Sequence, residues 1–415
     1  MYQEDILMNI VVAQSGGPTC AINASLVGVF REAMKVQEID AIFGSINGIE
    51  GVIDDRLIDL KTMFRSDNDI ELLRQTPSTV LGSCRYKLPD VDEDDTVYKK
   101  IVKCFLHRQI GAFFYIGGND SMDTIKQLSD YAEKEGLDIK IIGIPKTIDN
   151  DLCITDHTPG FGSAAKYVAV SMQEIIRDSA VYSIPSVTIV EVMGRHAGWL
   201  TASSAILHAN NQAAPHLIYV PERPMTLERF FNDLRCQMAK HQAVVVAVSE
   251  GVEIKEAGSE QYQSGLTDNF GHKYLSGIGK FMEQAVRNEF GCKVRSIELN
   301  VMQRCSSHIA SATDIREAEE IGAAGVRCAL KGETGKVMVF RRVRDVPYTV
   351  VIEPAPAESI ANREKYLPSA FINEEGNNIT EKAFSYFMPL IQGEPNIIMK
   401  NGIPEHFLIR DDILR

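Results

Sequence analysis

The segments AFFYIGGNDSMDT (residues 112–124) and IIGIPKTIDND (residues 141–151) decide the fold. Each begins as an apolar run, which is typical of a buried parallel strand, and ends in a loop of small and polar residues. Between the loops, a helical pattern of apolar residues begins at Ser121, a suitable N-cap. This order places both loops at the carboxyl ends of parallel strands, where doubly wound sheets bind their ligands.

Other apolar runs end in similar turns. Ile6–Val12 leads to Gly16 and Gly17, Val187–Val192 leads to Met193, Gly194 and Arg195, and Val244–Val248 leads to Glu250. Glycine allows backbone N–H groups to approach an anion at the positive end of a helix, although such turns often have only a structural role. The repeated strand–helix order predicts an α/β fold with two Rossmann-like domains, mainly parallel sheets and an active site in the cleft between them.

Composition narrows the classes of protein that fit. A length of 415 residues exceeds the usual size of one domain. The net charge of −13 argues against nucleic acid and anionic membranes as partners, so a phosphorylated substrate would need a local island of Lys and Arg. The 8 cysteines are scattered without a CxxC pair, which predicts reduced thiols. The sequence shows neither a signal peptide nor an apolar span long enough for a membrane helix, and this predicts a cytoplasmic protein.

The loop from Lys146 to Asp151 carries the groups that phosphoryl transfer requires. That reaction depends on positioning, on neutralisation of the phosphate oxygens and on a carboxylate that accepts a proton. Asp149 is therefore a candidate general base and Lys146 a candidate charge clamp; a loop held together by Asx turns is the alternative. Asp120 is unexpected in a phosphate cradle, unless its carboxylate occupies space that a longer ligand would need.

Nine motifs, in this order along the chain, resemble those of the phosphofructokinase family. They are SGGPTCAIN (15–23), GSINGIEG (44–51), LGSCR (81–85), IGGNDSMDT (116–124), PKTIDND (145–151), GFGSA (160–164), EVMGRHAGW (191–199), SEG (249–251) and QR (303–304). The resemblance covers roughly residues 9–326 and is to the pyrophosphate-dependent branch of the family. So many ordered motifs make the resemblance highly specific.

The resemblance implies a role for each candidate residue. Donor contacts are expected from Gly16, Gly17, Gly118, Asp120 and Lys146. Arg85 is expected to neutralise the phosphates, Asp149 to take the proton from the sugar's 1-hydroxyl, and Asp151 to assist near the metal. Substrate contacts are expected from Thr147, Ile148, Asp149, Met193, Gly194, Arg195, Glu250, Arg295 and Arg304. The catalytic set is Asp149, Lys146, Arg85, Asp120 and Asp151. The cofactor is Mg²⁺, with Asn119 in the place of an aspartate that many relatives direct toward the metal.

Two positions indicate the phosphoryl donor. Relatives that use ATP have glycine where this chain has Asp120 and Lys146, whereas the pyrophosphate branch has aspartate and lysine. Asp120 would repel and block the α-phosphate of a nucleotide, and Lys146 would supply a cation to pyrophosphate. The expected reaction is therefore reversible transfer from pyrophosphate to fructose 6-phosphate, giving fructose 1,6-bisphosphate and orthophosphate.

The resemblance also implies how the chain is divided. Residues 1–162 with about 303–355 are expected to form the donor-binding and catalytic domain. Residues 163–302 with about 356–415 are expected to form the sugar-phosphate-binding domain and a C-terminal extension. A homo-oligomer, dimer or tetramer, is expected as well.

Several alternatives stay open at this point. The chain could be an ATP-dependent phosphofructokinase or a non-catalytic regulatory subunit that binds fructose phosphates. Ser186 and Val301 replace an arginine and a histidine that bind substrate in relatives, so sedoheptulose 7-phosphate is a second candidate acceptor. Val27 replaces an effector-site arginine of allosteric bacterial enzymes, which predicts weak or absent effector control.

Overall fold

The computed structural model describes residues 8–209, 213–255, 263–267, 273–275 and 277–409. The strands are β1 (Met8–Gln14), β2 (Ile39–Ser45), β3 (Leu57–Asp59), β4 (Ile110–Gly117), β5 (Lys140–Pro145), β6 (Ser186–Val192), β7 (Leu217–Tyr219), β8 (Ala243–Ser249), β9 (Gln263–Thr267), β10 (Lys273–Leu275), β11 (Lys293–Glu298), β12 (Lys336–Asp345), β13 (Tyr348–Pro356), β14 (Met399–Lys400) and β15 (Ile403–Pro404).

The α-helices are α1 (Ile22–Ala33), α2 (Gly48–Ile53), α3 (Leu60–Met63), α4 (Asp67–Gln75), α5 (Thr96–His107), α6 (Asn119–Lys134), α7 (Phe161–Ser179), α8 (Trp199–Ser203), α9 (Ile206–Ala209), α10 (Leu227–Met238), α11 (Ile278–Phe290), α12 (Met302–Cys305), α13 (Ala312–Leu330) and α14 (Phe384–Phe387). The strand predicted at Ile6–Val12 corresponds to β1, and its first two residues lie outside the described ranges.

A larger sheet of 7 strands has the order β13-β12-β5-β4-β1-β2-β3. Its central strands β2, β1, β4, β5 and β12 run parallel, and only the edge strands β3 and β13 are antiparallel. In β4 every residue except Gly111 is buried, which explains its continuous apolar sequence, since helices cover both faces of such a sheet.

A smaller sheet of 4 strands has the order β11-β6-β8-β7, and all its pairs are parallel. Helix α7 carries the chain from the larger sheet to this one. Its first turn is held by Asp314 of α13, whose carboxylate accepts hydrogen bonds from the backbone N–H groups of Gly160 at 2.9 Å and Ser163 at 3.0 Å. The predicted α/β class with mainly parallel, Rossmann-like sheets is confirmed.

The C-terminal part of the chain packs on both sheets in turn. Ala357, Ile360 and Ala361 join the core beneath β4, whereas the apolar side chains between Leu367 and Leu390 join the core around α7. Phe407 then returns to the core of the larger sheet. The expectation that residues from about 356 onward extend the second domain therefore describes only the middle of this segment, because its apolar residues divide between two cores.

Among the described residues, none of the helices is long and apolar enough to cross a membrane.

Candidate active site

A cleft of about 530 Å³ lies where the carboxyl ends of both sheets meet. Its size falls within the usual range of small-molecule sites. The predicted residues that line it are Gly16, Gly17, Arg85, Gly118, Asn119, Asp120, Lys146, Thr147, Ile148, Asp149, Asp151, Met193, Arg195, Glu250 and Arg304. The two loops that follow β4 and β5 thus share one site with loops of the smaller sheet.

The Gly16–Gly17 turn lies directly over the lysine of the second loop. The Lys146 ammonium donates a hydrogen bond of 2.6 Å to the Gly17 carbonyl. Gly16 has a φ of +74°, a conformation that favours glycine, and a Cβ there would lie only 3.2 Å from Lys146 Nζ. Lys146 is only 1% exposed, and burial lowers its pKa to about 7. A neighbouring anion would favour its charged form.

Helix α6 points its N-terminus into the cleft. Gly118 is the N-cap and Asp120 lies in the first turn, where the helix dipole favours negative charge. The N-terminus of a helix also favours a bound phosphate. A phosphate at this position would meet both the volume and the negative charge of the Asp120 carboxylate. Asp120 thus lines the cleft, and its effect on the choice of donor stays a prediction.

The loop after β5 brings two carboxylates into the cleft. Burial raises the pKa of Asp149, and Arg195, Lys146 and Thr147 oppose that rise. Burial and the charge of Asp149 raise the pKa of Asp151 to about 7. The Asp149 N–H donates to the Thr147 hydroxyl at 3.1 Å. This local turn therefore holds the loop that carries the two carboxylates.

The smaller sheet supplies the opposite wall. The Gly194 N–H donates to Glu250 Oε1 at 3.3 Å, and the Gly194 carbonyl accepts from the Ser249 hydroxyl at 2.6 Å. Gly194, with a φ of +139°, therefore links the ends of β6 and β8. Burial, with a smaller contribution from the charge of Asp149, raises the pKa of Glu250 to about 7. A carboxyl so placed can bind sugar hydroxyls.

Four cations surround this space in a chain whose net charge is −13. They are Arg85, Lys146, Arg195 and Arg304. Burial, followed by the charge of Arg85, lowers the pKa of Arg304. Without a ligand, the positive charges of these side chains repel one another, and a bound polyanion would relieve that repulsion. The cleft is therefore the local cluster of Lys and Arg that a phosphorylated substrate requires in an acidic chain.

Arg295 does not line this cleft within the chain. It lies on β11 opposite Thr188, toward the amino end of β6, and its guanidinium is 3.0 Å from the Asp178 carboxylate. Within the single chain Arg295 lies outside the cleft, which is at the other end of these parallel strands, and its expected substrate contact stays a prediction.

Asn119 does not point its amide toward the cations or carboxylates of the cleft. Its Oδ1 accepts the Asn362 N–H at 2.7 Å, and its Nδ2 donates to the Arg363 carbonyl at 2.8 Å. Both ends of the amide are thus engaged by the C-terminal segment, and the expectation of Asn119 as a metal-directed residue does not fit this geometry.

The cleft contains residues that the sequence analysis did not identify. Asn362, Glu364 and Tyr366 line it from the C-terminal segment, and His196 lines it from the loop after β6. His196 is exposed, and its Nδ1 is 3.1 Å from Glu364 Oε1. No local motif marks residues 362–366, since they reach the site only through the tertiary fold.

The site suits a cation held partly by substrate. Among the described residues, no group of three or more His, Cys, Asp or Glu could hold a metal ion alone. Asp149 and Asp151 nevertheless both line the cleft, and the charge of Asp149 adds to the effect of burial in raising the pKa of Asp151. Mg²⁺ is commonly bound by one or two carboxylates together with phosphate oxygens, and this donor set fits that pattern.

Comparison with known proteins agrees with this arrangement. The family model described as "Phosphofructokinase" matches residues 9–329. A protein of Xanthomonas campestris pv. campestris named pyrophosphate--fructose 6-phosphate 1-phosphotransferase is 40% identical over 406 residues, which are 97% of this chain and 96% of that protein. A protein of Alkalicoccus urumqiensis named sulfofructose kinase is 34% identical over 372 residues, which are 88% of this chain and 92% of that protein.

A crystal structure described as a pyrophosphate-dependent phosphofructokinase from Marinobacter aquaeolei superposes with a TM-score of 0.86 at 35% identity, covering 98% of this chain and 97% of that one. The likeness in fold and sequence thus extends along nearly the whole length of this chain. The chain belongs to the phosphofructokinase family.

Proposed function

We propose that this chain catalyses reversible phosphoryl transfer between pyrophosphate and the 1-hydroxyl of fructose 6-phosphate, giving fructose 1,6-bisphosphate and orthophosphate. The observation that carries the proposal is the pair Lys146 and Asp120. Lys146 lies buried under the Gly16–Gly17 turn, 2.6 Å from the Gly17 carbonyl, where its ammonium can meet a short polyanion. Asp120 occupies the helix N-terminus that a nucleotide's α-phosphate would need.

In the proposed mechanism, Asp149 accepts the proton of the sugar's 1-hydroxyl. The hydroxyl oxygen attacks one phosphorus of pyrophosphate, a new P–O bond forms, and the bond to the bridging oxygen breaks to release orthophosphate. Arg85 and Lys146 neutralise the phosphate oxygens, whose charge is the main obstacle in such transfers. In the reverse direction Asp149 returns the proton.

The acceptor lies on the other wall in this proposal. Met193, Gly194 and Arg195 would hold the sugar phosphate, with Glu250 on its hydroxyls and Arg304 near its 6-phosphate. Thr147 and Ile148 would support the same end of the sugar as Asp149. The Arg195 charge lowers the pKa of Asp149 against the effect of burial, so it helps to keep the base ionised.

Mg²⁺ is the proposed cofactor, and Asp151 is the carboxylate placed to hold it. When bound with the donor, the ion would neutralise phosphate oxygens and orient the group to be transferred. Asn119 is not included, since its amide is engaged by Asn362 and Arg363.

The test is a comparison of donors on the purified chain with fructose 6-phosphate and Mg²⁺. We expect kcat/KM for pyrophosphate to exceed that for ATP by at least ~10²-fold. Faster turnover with ATP would favour an ATP-dependent enzyme. Activity with neither donor would favour the non-catalytic binding subunit.

A second acceptor deserves the same comparison because of one position. Val301 is 47% exposed and does not line the cleft. The resemblance to the family implies a substrate-binding histidine at this position. One relative is named sulfofructose kinase, and that name indicates a different acceptor. We expect the highest kcat/KM with fructose 6-phosphate; a higher value with sedoheptulose 7-phosphate or with sulfofructose would reassign the acceptor.

A further inference from the structure

Residues 362–367, which we call the strap, form part of the wall of the cleft. Asn362, Glu364 and Tyr366 line it. The strap lies beyond residues 9–329, which the family model matches, and beyond all nine motifs of the sequence. It is also the only described segment after residue 304 that lines the cleft.

The strap is fixed to the donor wall at the first turn of α6. Besides its two hydrogen bonds with Asn119, it holds Asp123, whose carboxylate accepts from Asn362 Nδ2 at 2.8 Å. Asn362 adopts a φ of +58°, a conformation that asparagine tolerates better than most residues. Asp120 directly follows the first of these anchors in the first turn of α6, so the strap lies next to the donor wall of the cleft.

The strap is also fixed to the catalytic loop. Lys365 N–H donates to the Asp151 carbonyl at 2.7 Å, and Glu364 forms an antiparallel bridge with Leu152. The buried Lys365 ammonium donates to Asn150 Oδ1 at 3.3 Å and to the Asp156 carbonyl at 2.8 Å. The strap therefore has a defined position behind the reacting carboxylates.

On the acceptor wall the strap is held by three further contacts. Glu364 pairs with His196 at 3.1 Å, and the Lys365 carbonyl accepts the Trp199 indole N–H at 2.9 Å. The Leu367 N–H donates to Glu222, the same carboxylate that binds the Gly198 N–H. Because the strap is hydrogen-bonded to both walls of the cleft, it cannot move with one wall unless its contacts with the other wall break.

From these contacts we propose that the strap closes the donor end of the cleft and limits the donor to a diphosphate. The inference rests on the proposed function. Glu364 adds a second carboxylate to the cleft that Asp120 lines, and it follows Asn362, which is hydrogen-bonded to the first residue of α6, by two positions. The Tyr366 hydroxyl donates to Glu364 at 2.8 Å, which keeps the ring and the carboxylate together. A third phosphate, whether of a nucleotide or of a linear polyphosphate, meets both negative charge and bulk there. In this proposal, the hydrogen bonds of Asn119 hold the strap to α6.

The test uses inorganic tripolyphosphate, which is longer than pyrophosphate but carries no base. Binding of both anions to the full chain is measured by calorimetry with equal free Mg²⁺. The wild type should bind tripolyphosphate at least ~10-fold more weakly than pyrophosphate. In the double variant Glu364→Ala with Tyr366→Ala, tripolyphosphate binding should strengthen at least ~10-fold while pyrophosphate binding changes less than ~3-fold.

Matched controls separate this effect from a general loss of charge or packing. Glu358→Ala with Tyr182→Ala removes the same two side-chain types from exposed positions outside the cleft and should leave the ratio of the two affinities unchanged. Glu364→Gln keeps the size of the side chain, so it remains informative if the double variant does not fold; it should improve tripolyphosphate binding by at least ~3-fold.

If every folded strap variant keeps the wild-type ratio, the strap does not limit donor length. If the wild type already binds tripolyphosphate as tightly as pyrophosphate, the inference is also overturned. Absence of any pyrophosphate binding by the wild type would instead contradict the proposed function, so the two failures can be told apart.

Discussion

Asp149 combines a buried carboxyl with two nearby cations, Arg195 and Lys146. We expect Asp149→Asn to lower kcat by at least ~10²-fold, the usual contribution of a general base, with little change in thermal stability. Steady-state kinetics with pyrophosphate and fructose 6-phosphate measure the effect. Asp178→Asn, which removes a surface carboxylate paired with Arg295, is the control. Turnover of Asp149→Asn within a few-fold of wild type would rule out the proton-accepting role.

Asp120 and Lys146 together should control the class of donor. Changing both to glycine removes a carboxylate from the helix N-terminus and an ammonium from beneath the Gly16–Gly17 turn. We expect tighter ATP binding and weaker pyrophosphate binding, each by at least ~10-fold, in equilibrium titrations. The single variant Lys146→Gly should weaken pyrophosphate binding without opening the α-phosphate position. No gain in ATP affinity for the double variant would disprove the proposed block by Asp120.

For individual residues, the sequence indicated the cleft residues that follow strand ends. It did not indicate those that are distant in sequence and reach the cleft only through the tertiary fold. Gly17, Asp120, Lys146 and Glu250 lie in one cleft because the carboxyl ends of parallel strands meet there. The partner of Asn119 is 243 positions away, so its amide could not be assigned from local pattern. Arg295 lies outside the single chain's cleft, and none of the nine motifs includes it, so no motif indicated its position along β11.

At the scale of elements, His157 joins the loop after β5 to helix α13. Its ring lies between Asp156 Oδ2 and Glu317 Oε2, each at 2.9 Å, and stacks on Phe340 with ring centroids 4.4 Å apart. Burial alone would lower the pKa of His157, but hydrogen bonds and the charges of both carboxylates raise it above 6.5 on balance. The charged imidazole therefore stabilises the folded state.

The pH dependence of this contribution has a definite sign. Because the folded-state pKa is raised, the stabilisation is fully present below pH ~6.5 and is lost as the pH rises through the folded-state value. We expect His157→Gln to lower the free energy of unfolding by about 3 kcal/mol at pH 6, as for a broken buried ion pair, and by clearly less at pH 9. Denaturant unfolding measures both. His406→Gln, at an exposed position, should have no such effect. Equal losses at the two pH values for His157→Gln would contradict this account.

Elements with a strong period were predicted well, and those without one were not. The helix predicted to begin at Ser121 is observed as α6 (Asn119–Lys134), since its apolar residues recur at helical spacing, but it starts two residues earlier, with Gly118 as the N-cap. After Pro356 the chain forms short 3₁₀ helices such as Ser369–Phe371 and Met388–Ile391. Such pieces are too short to show a period, so the sequence did not indicate where this segment packs.

At the scale of the whole molecule, the C-terminal segment binds the larger sheet a second time. The Gln75 side chain donates to the Ile398 carbonyl at 2.9 Å and accepts the Ile398 N–H at 2.8 Å, while Phe407 packs edge-on against Phe64 with ring centroids 5.5 Å apart. Gln75 is buried, so its amide depends on these partners.

Removal of the residues after Gly393 should therefore weaken the fold more than the function. We expect the free energy of unfolding to fall by about 2–4 kcal/mol, from one buried amide and one aromatic contact. The kcat at 25 °C should stay within ~2-fold, because the described residues after 393 do not line the cleft. Denaturant unfolding and steady-state assays measure the two quantities. A loss of activity without a loss of stability would contradict this division of roles.

The expected homo-oligomer stays a prediction at this scale, and light scattering of the purified chain would test it. Apolar side chains before β6 are compatible with a subunit contact, since Val181 is 71% exposed and Ile184 is 50% exposed. Arg295 lies on the neighbouring strand of the same sheet.

The strand order of the larger sheet has a consequence for the time at which activity arises during synthesis. Strands β12 and β13 follow every strand of the smaller sheet in the chain but lie beside β5 in the larger one. Since chains fold from the N-terminus as they are made, the smaller sheet is complete while β5 is still an unpaired edge. The strap emerges later still. A nascent or prematurely terminated chain would therefore hold most of the catalytic residues and yet have no finished cleft, so activity begins only when synthesis is nearly complete.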